Sequence, residues 1–216
     1  MAERLIIVGA GGLGREVLWT ARALSDRWEP LGFLDDDERL RGRSISDLPV
    51  LGRIDDWPCY HQDARVAVAL GAPRTRKAVV ERLETLAATR FATLVHPSVH
   101  VNRYGSVGEG SILCAGSLYS DRTRIGRHCL INALSTLGHD AVLGDFCTLA
   151  SHVGVCGNVT LAPGVELGTG VVVVPGITIG QGSLCCAGAV VANPVAPAAL
   201  VAGNPARRVK DLPAFS

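Results

Sequence analysis

Val155-Cys-Gly-Asn-Val-Thr, Leu161-Ala-Pro-Gly-Val-Glu, Leu167-Gly-Thr-Gly-Val-Val: three consecutive six-residue units, each opened by an aliphatic side chain, decide how the chain is read. Counting outward in sixes, the opening residues are Val95, Val101, Val107, Leu113, Tyr119, Ile125, Ile131, Leu137, Leu143, Leu149, Val155, Leu161, Leu167, Val173, Ile179, Cys185 and Val191. All but Tyr119 and Cys185 are aliphatic, and no insertion breaks the phase. Second positions are often glycine (Gly108, Gly126, Gly138, Gly144, Gly168, Gly180), and fifth positions are small or β-branched, as at Ser111, Ser117, Thr123, Cys129, Ser135 and Val153. Each unit is expected to give one short strand and one corner, with the opening residue inside and the compact fifth residue at a crowded inner edge. Glycine is expected at the corners because it tolerates φ > 0. Three units close a triangular coil, so the segment predicts a left-handed parallel β-helix of just under six coils.

Ahead of this repeat, residues 1–92 alternate strand and helix signals. Leu5–Val8 reads as a buried strand, Gly9-Ala-Gly-Gly-Leu-Gly14 as a turn, and Arg15–Leu24 as a helix with Val17, Leu18, Ala21 and Leu24 on one face. Leu31–Leu34 and Arg65–Leu70 read as further strands, the first ending at Asp35-Asp36-Asp37. Thr75 is expected to cap a helix carrying Val79, Leu83 and Leu86. The fold class is a small α/β Rossmann-like N-terminal domain with a parallel sheet, followed by the β-helix with a short C-terminal tail at 93–216.

Composition narrows the function classes. Of 216 residues, 48% are hydrophobic and only 19% charged, which excludes disorder. A net charge of +1 gives no electrostatic case for nucleic acid or an anionic membrane. No signal peptide and no apolar run of membrane-spanning length is read. The seven cysteines are odd in number and form no CxxC pair, so no zinc site or disulfide framework is expected and the location is read as a reducing cytoplasm. Six of them fall on the repeat, as opening (Cys185), second (Cys114, Cys156, Cys186) or fifth residues (Cys129, Cys147), where small packing groups belong.

Four motifs carry a family resemblance: Ile7-Val-Gly-Ala-Gly-Gly-Leu-Gly-Arg-Glu16, Gly32-Phe-Leu-Asp-Asp-Asp37, Gly138-His-Asp-Ala-Val-Leu-Gly-Asp-Phe146 and Val201-Ala-Gly-Asn-Pro-Ala-Arg207. With them the chain resembles the bacterial sugar acetyltransferases that join a nucleotide-sugar-binding α/β domain to a left-handed β-helix. These are the sialic acid O-acetyltransferases and the N-acetyltransferases of the bacillosamine and perosamine type. The resemblance implies a homotrimer with acetyl-CoA between neighbouring β-helices and no metal. It implies transfer of acetyl to the amine of a nucleotide-linked 4-amino-4,6-dideoxy sugar.

His139 is the third residue of its unit and is therefore expected at a corner. A histidine there can take the proton lost by an attacking amine, and the adjacent Asp140 can orient the ring. The resemblance assigns both residues these roles. Eighteen residues on, Gly157 is expected directly above His139, leaving room for the thioester and an N–H for its developing oxyanion. Thr148 lies half a coil from His139, where the family often holds a second histidine on CoA; the two can meet only across subunits. The resemblance also points Thr169 and Ala187 at CoA, Arg207 and Arg208 at its phosphates, and Asn132 at the reacting sugar. In the first domain it places the sugar nucleotide near Gly12, Leu13, Gly14, Arg15, Asp35, Asp36 and Gly71, with Leu13 standing where the family usually has histidine.

Four rival readings stand beside this one. O-acetylation of a sugar such as sialic acid uses the same base. A dinucleotide oxidoreductase is suggested by Gly9-x-Gly11-x-x-Gly14, but about 90 residues are short for two mononucleotide-binding halves. A metal-dependent hydratase of the γ-carbonic anhydrase type needs histidines five apart, which His61, His96, His100, His128, His139 and His152 do not provide. The last is an inactive β-helix scaffold.

Overall fold

The computed structural model describes residues 2–100 and 102–216; the opening position Val101 lies outside the described residues. The strands β1 (Glu3–Val8), β2 (Trp28–Leu34), β3 (Ser44–Ile45), β4 (Leu48–Gly52) and β5 (Ala64–Val68) form one sheet in the order β3-β4-β2-β1-β5. Only the β3–β4 hairpin is antiparallel. Leu5, Ile6, Ile7 and Val8 are all fully buried, as a central parallel strand covered on both faces requires. The hairpin, which no sequence signal announced, extends the sheet beyond β2.

Helix α1 (Gly12–Arg22) follows β1 and buries Val17, Leu18 and Ala21; it stops short of Leu24. Helix α2 (Pro73–Leu86) begins with Pro73 behind the N-cap Ala72, which makes no side-chain cap. Thr75 is thus inside the first turn, and proline's fixed φ sets the start instead of a hydroxyl cap. The buried face of α2 is Pro73, Arg76, Val80 and Leu83, with Val79 and Leu86 at its margins.

From Leu94 the chain winds in coils of two-residue strands that pair in parallel at a spacing of eighteen, as Leu130–Ile131 does with Thr148–Leu149; at the last coil the spacing shortens to sixteen, with Leu184 opposite Leu200 and Cys185 opposite Val201. The first face runs through Ile112–Leu113, Leu130–Ile131, Thr148–Leu149 and Glu166–Leu167; the second through Leu118–Tyr119, Thr136–Leu137 and Gly154–Val155; the third through Arg124–Ile125, Val142–Leu143 and Thr160–Leu161. Opening residues from Leu113 to Val191 fill the interior as one cluster. Buried hydroxyls at fifth positions stitch coils together. Ser135 Oγ donates to Ala150 O at 2.9 Å and accepts from Val153 N at 3.2 Å, so no polar cost accrues.

One expectation about the corners is corrected. The left-handed backbone falls on fourth positions, such as Asp140 (φ 57) and Gly164 (φ 70), and not on the second-position glycines. Those glycines answer to close approach between coils instead. A Cβ on Gly138 would lie 2.4 Å from Gly157 N.

The α/β domain packs on the first face. Leu94, Ile112, Cys114 and Leu130 share a buried cluster with Leu5, Ile7, Val17, Leu18, Ala67 and Ala92. We propose the boundary at 92/93 within this shared core. Along the corner between the third and first faces, Phe91 meets His128 edge-on at 4.6 Å, and His128 stacks on Phe146 at 5.1 Å. Above them, at Gly164 and Gly182, the ring of Phe215 folds back from the C-terminus into the space two side chains would occupy.

Candidate active site

His139 occupies the corner between the second and third faces, in the column Asp121, His139, Gly157, Pro175. Its neighbour Asp140 takes the left-handed conformation that a short polar residue tolerates, its N–H held by Asp121 O at 2.9 Å. That turn brings Asp140 Oδ2 to 2.9 Å from His139 Nδ1. A carboxylate can only accept, so Nδ1 carries a proton, and in the neutral ring Nε2 presents the lone pair. The imidazole lies under Gly157 as the coil count predicts: a Cβ there would fall 2.5 Å from Nε2 and 2.7 Å from Cε1. Both side chains are exposed, at 60% and 44%. A ring fixed at one nitrogen, open at the other and facing bare backbone can accept a proton from a nucleophile placed at that corner. Among the described residues the Gly157 N–H makes no backbone hydrogen bond.

Thr169 and Ala187 stand on a different corner, between the first and second faces, stacked above Ser151; Gly188 N donates to Thr169 O at 2.8 Å. Arg207 and Arg208 open the last strand (Arg207–Asp211) and line a cavity of about 360 Å³ at the end of the coil with Val191, Asn193 and Ala206. Arg208 pairs with Asp211, and Arg207 Nη1 donates to Ala206 O at 3.1 Å.

Thr148 does not stand free for a cofactor. It is 5% exposed under the α/β domain, donating from Oγ1 to Gly71 O at 2.7 Å and accepting from Arg76 Nη2 at 2.8 Å. The first face carries the N-terminal domain, so a side chain at this place serves the joint between domains.

In the α/β domain a cavity of about 220 Å³ opens at the carboxyl ends of β1 and β2, lined by Gly9, Asp35, Asp36, Ile54, Leu70, Thr75 and Val79. This is where open α/β sheets take ligands. Gly14 is dictated by packing, since a Cβ would lie 2.0 Å from Gly9 O. Gly12 and Arg15 are exposed in the first turn of α1, and Leu13 lies 4.0 Å from the Cβ position of Gly71. Asp35 braces the turn, accepting from Ala10 N at 2.7 Å and Asp37 N at 2.8 Å. Asp36 accepts from Ile54 N at 3.1 Å and Arg82 Nη1 at 2.6 Å. Burial opposes its ionisation, but those hydrogen bonds and the charges of Arg82 and Arg53 hold its pKa below the usual carboxylate value. Each carboxylate is therefore held in one orientation by the protein while it lines the cavity.

Asn132 Oδ1 accepts from Cys114 Sγ at 3.7 Å beside a cleft of about 140 Å³ formed by Glu16, Trp19, Thr20, Ala133 and Ser151. Trp19 is 66% exposed there and packs at a tilt on His96. Sequence reasoning singles out neither Glu16 nor Trp19, nor Arg76. The signal for Arg76 is nonetheless present: it precedes Val80 by four and Leu83 by seven, in line with an apolar stripe.

Among the described residues no group of three His, Cys, Asp or Glu is placed to hold a metal, and no helix is long and apolar enough to cross a membrane. Residues 4–83 match the PglD N-terminal domain family. A GDP-perosamine N-acetyltransferase of Escherichia coli O157:H7 is 28% identical over 146 residues, 67% of this chain and 66% of that protein. The acetyltransferase domain of PglB from Neisseria gonorrhoeae FA1090, also solved with acetyl coenzyme A, superposes with a TM-score of 0.89 at 28% identity over 96% of this chain and 100% of its own. Perosamine N-acetyltransferase from Caulobacter crescentus, solved as a point mutant with CoA and GDP-perosamine, gives 0.90 at 28% identity over 98% and 99%.

Proposed function

We propose that this chain, which belongs with the left-handed β-helix nucleotide-amino-sugar N-acetyltransferases, moves acetyl from acetyl-CoA to the amine of a nucleotide-linked 4-amino-4,6-dideoxy sugar. The observation that carries the reading is the His139–Asp140 pair, with Nε2 open beneath the bare backbone of Gly157. The amine nitrogen attacks the thioester carbonyl, and His139 Nε2 takes the proton the nitrogen sheds. The Gly157 N–H supports the oxyanion. The C–S bond then breaks as the amide forms, and the departing thiolate recovers the proton from the imidazolium. No acyl-enzyme intervenes. The CoA contacts at Thr169, Ala187, Arg207 and Arg208 belong to the same proposal.

The geometry also favours assembly. The nucleotide cavity belongs to a domain seated on the first face, whereas His139 projects from the corner opposite that face. One protomer therefore keeps its acceptor pocket and its base apart, and a cyclic trimer brings each pocket to a neighbour's His139. The test is incubation with acetyl-CoA and UDP-, GDP- and dTDP-linked amino sugars, with His139→Ala as control. N-acetylation of at least one, lost in the variant, is expected. Acetylation of a free sugar hydroxyl with none of the amines would sink the reading.

A further inference from the structure

Arg76 is the most heavily bonded side chain at the joint between the two domains. It is 2% exposed. Nε donates to His128 O at 2.8 Å; Nη1 donates to Leu70 O at 2.6 Å and Gly71 O at 2.8 Å. Nη2 donates to Phe146 O at 2.9 Å, Cys147 O at 3.1 Å and Thr148 Oγ1 at 2.8 Å. Every acceptor is neutral, and no carboxylate lies within bonding distance among the described residues. Burial pulls its pKa down to about 10, so it stays charged at neutral pH.

The acceptors fall into two groups. His128 and Phe146 occupy the same corner of successive coils, and their left-handed backbones turn both carbonyls toward the guanidinium. Leu70 and Gly71 form the turn after β5, and Leu70 lines the nucleotide cavity together with Thr75, the residue before Arg76. A rigid planar fork therefore holds the wall of that cavity at one height on the coil. Thr148 completes the joint by donating to Gly71 O while accepting from the fork. Burial opposes the charge on Arg76, and the more distant Glu166 favours it.

We infer that Arg76 is a positioning residue for the acceptor: it fixes the Leu70–Gly71 wall in register with the β-helix, and so keeps the cavity in the shape that takes the nucleotide of the nucleotide sugar. The inference rests on the proposed function for the identity of that ligand. It is tested with R76M, R76K and T148V by measuring KM for the nucleotide amino sugar and for acetyl-CoA, together with thermal midpoint. Calorimetric Kd for UDP, GDP and dTDP alone completes the set. R76M should raise the nucleotide-sugar KM and the diphosphate Kd about tenfold or more, leaving the acetyl-CoA KM within about twofold. R76K should recover part of the loss by restoring a donor to these carbonyls without the fork, and T148V should shift the same constants about threefold. If R76M does not fold, R76K and T148V carry the comparison. Equal rises in both KM values, or a lowered midpoint with unchanged diphosphate Kd, overturn the inference. Wild-type protein that binds no nucleoside diphosphate overturns this inference and the acceptor half of the proposed function. Equal binding by wild type and R76M overturns this inference alone.

Discussion

Gly157→Ala displaces the proposed base without replacing it. The added methyl carbon would lie 2.5 Å from His139 Nε2, 2.7 Å from Cε1 and 3.0 Å from Cδ2. Ordinary contact begins near 3.4 Å, so the ring must retreat by about 1 Å, and its bond to Asp140 stretches with it. Retreat is easy for the fold, because the His139 side chain is 60% exposed and Gly157 is not among the left-handed residues. Stability should therefore change by no more than about 0.5 kcal/mol. Catalysis should not be so tolerant. A misplacement of about 1 Å costs roughly a hundredfold, equivalent to about 2.7 kcal/mol in the barrier. Initial rates of CoA thiol release, at saturating acetyl-CoA and amino sugar, should place Gly157→Ala between wild type and His139→Ala. The latter is expected to lose roughly 10²–10⁴ in kcat. A Gly157→Ala enzyme with kcat within threefold of wild type would refute the assignment of Nε2 as the proton acceptor.

Three further outcomes are expected. Mixing His139→Ala chains with Gly14→Ala chains, whose added carbon strikes Gly9 O, should restore about a quarter of wild-type activity if each site draws on two protomers of a random trimer; no recovery places the site within one chain. His128 is held neutral: burial, then the cations of Arg127 and Arg76, push its pKa down to about 4 from 6.5 against the pull of Asp145. The unfolded chain thus binds a proton the folded chain refuses, so this stability is complete above pH 6.5 and drains away toward pH 4, on the order of 3 kcal/mol. Urea midpoints across that window should fall more steeply for wild type than for His128→Leu, and parallel slopes would contradict the account. Gly182→Ala, at φ 66 with its new carbon 2.5 Å from Phe215 Cβ, should cost about 1–2 kcal/mol and expose the C-terminal tail to protease.

The β-helix is open to reading because its physics is periodic. One apolar side chain per hexad facing one interior leaves a pattern from Val95 to Val191 that no local propensity can blur. The place of Gly157 over His139 follows from counting alone. What cannot be read are relations between distant segments. Family likeness points Thr148 at CoA, yet its hydroxyl belongs to Gly71 and Arg76, because nothing in a hexad says which face the other domain covers. Asp35 and Asp36 are visible in the sequence as the acidic end of a strand, but the backbone at Ala10, Asp37 and Ile54 and the Arg82 side chain that orient them are not. The second-position glycines answer to intercoil distance, which does not show in a single unit, whereas tolerance of positive φ explains fourth-position glycines such as Gly164 and Gly182.

The tail that ends at Phe215 behaves as a gauge. After the last strand it doubles back to rest on Gly164 and Gly182, where Arg74 donates to Ala214 O and Pro213 O at 2.7 Å and Gln181 Nε2 to Phe215 O at 2.8 Å. Arg74 belongs to the first domain, which is anchored lower on the same face. Adding one coil between those anchors would raise the top by about 4.8 Å and carry Phe215 out of Arg74's reach. Removing one would drive the ring into the corner below. Hexads can drift in sequence at little cost, but their number between the two anchorages is checked from both ends, so the coil count is set by this clasp as well as by the repeat.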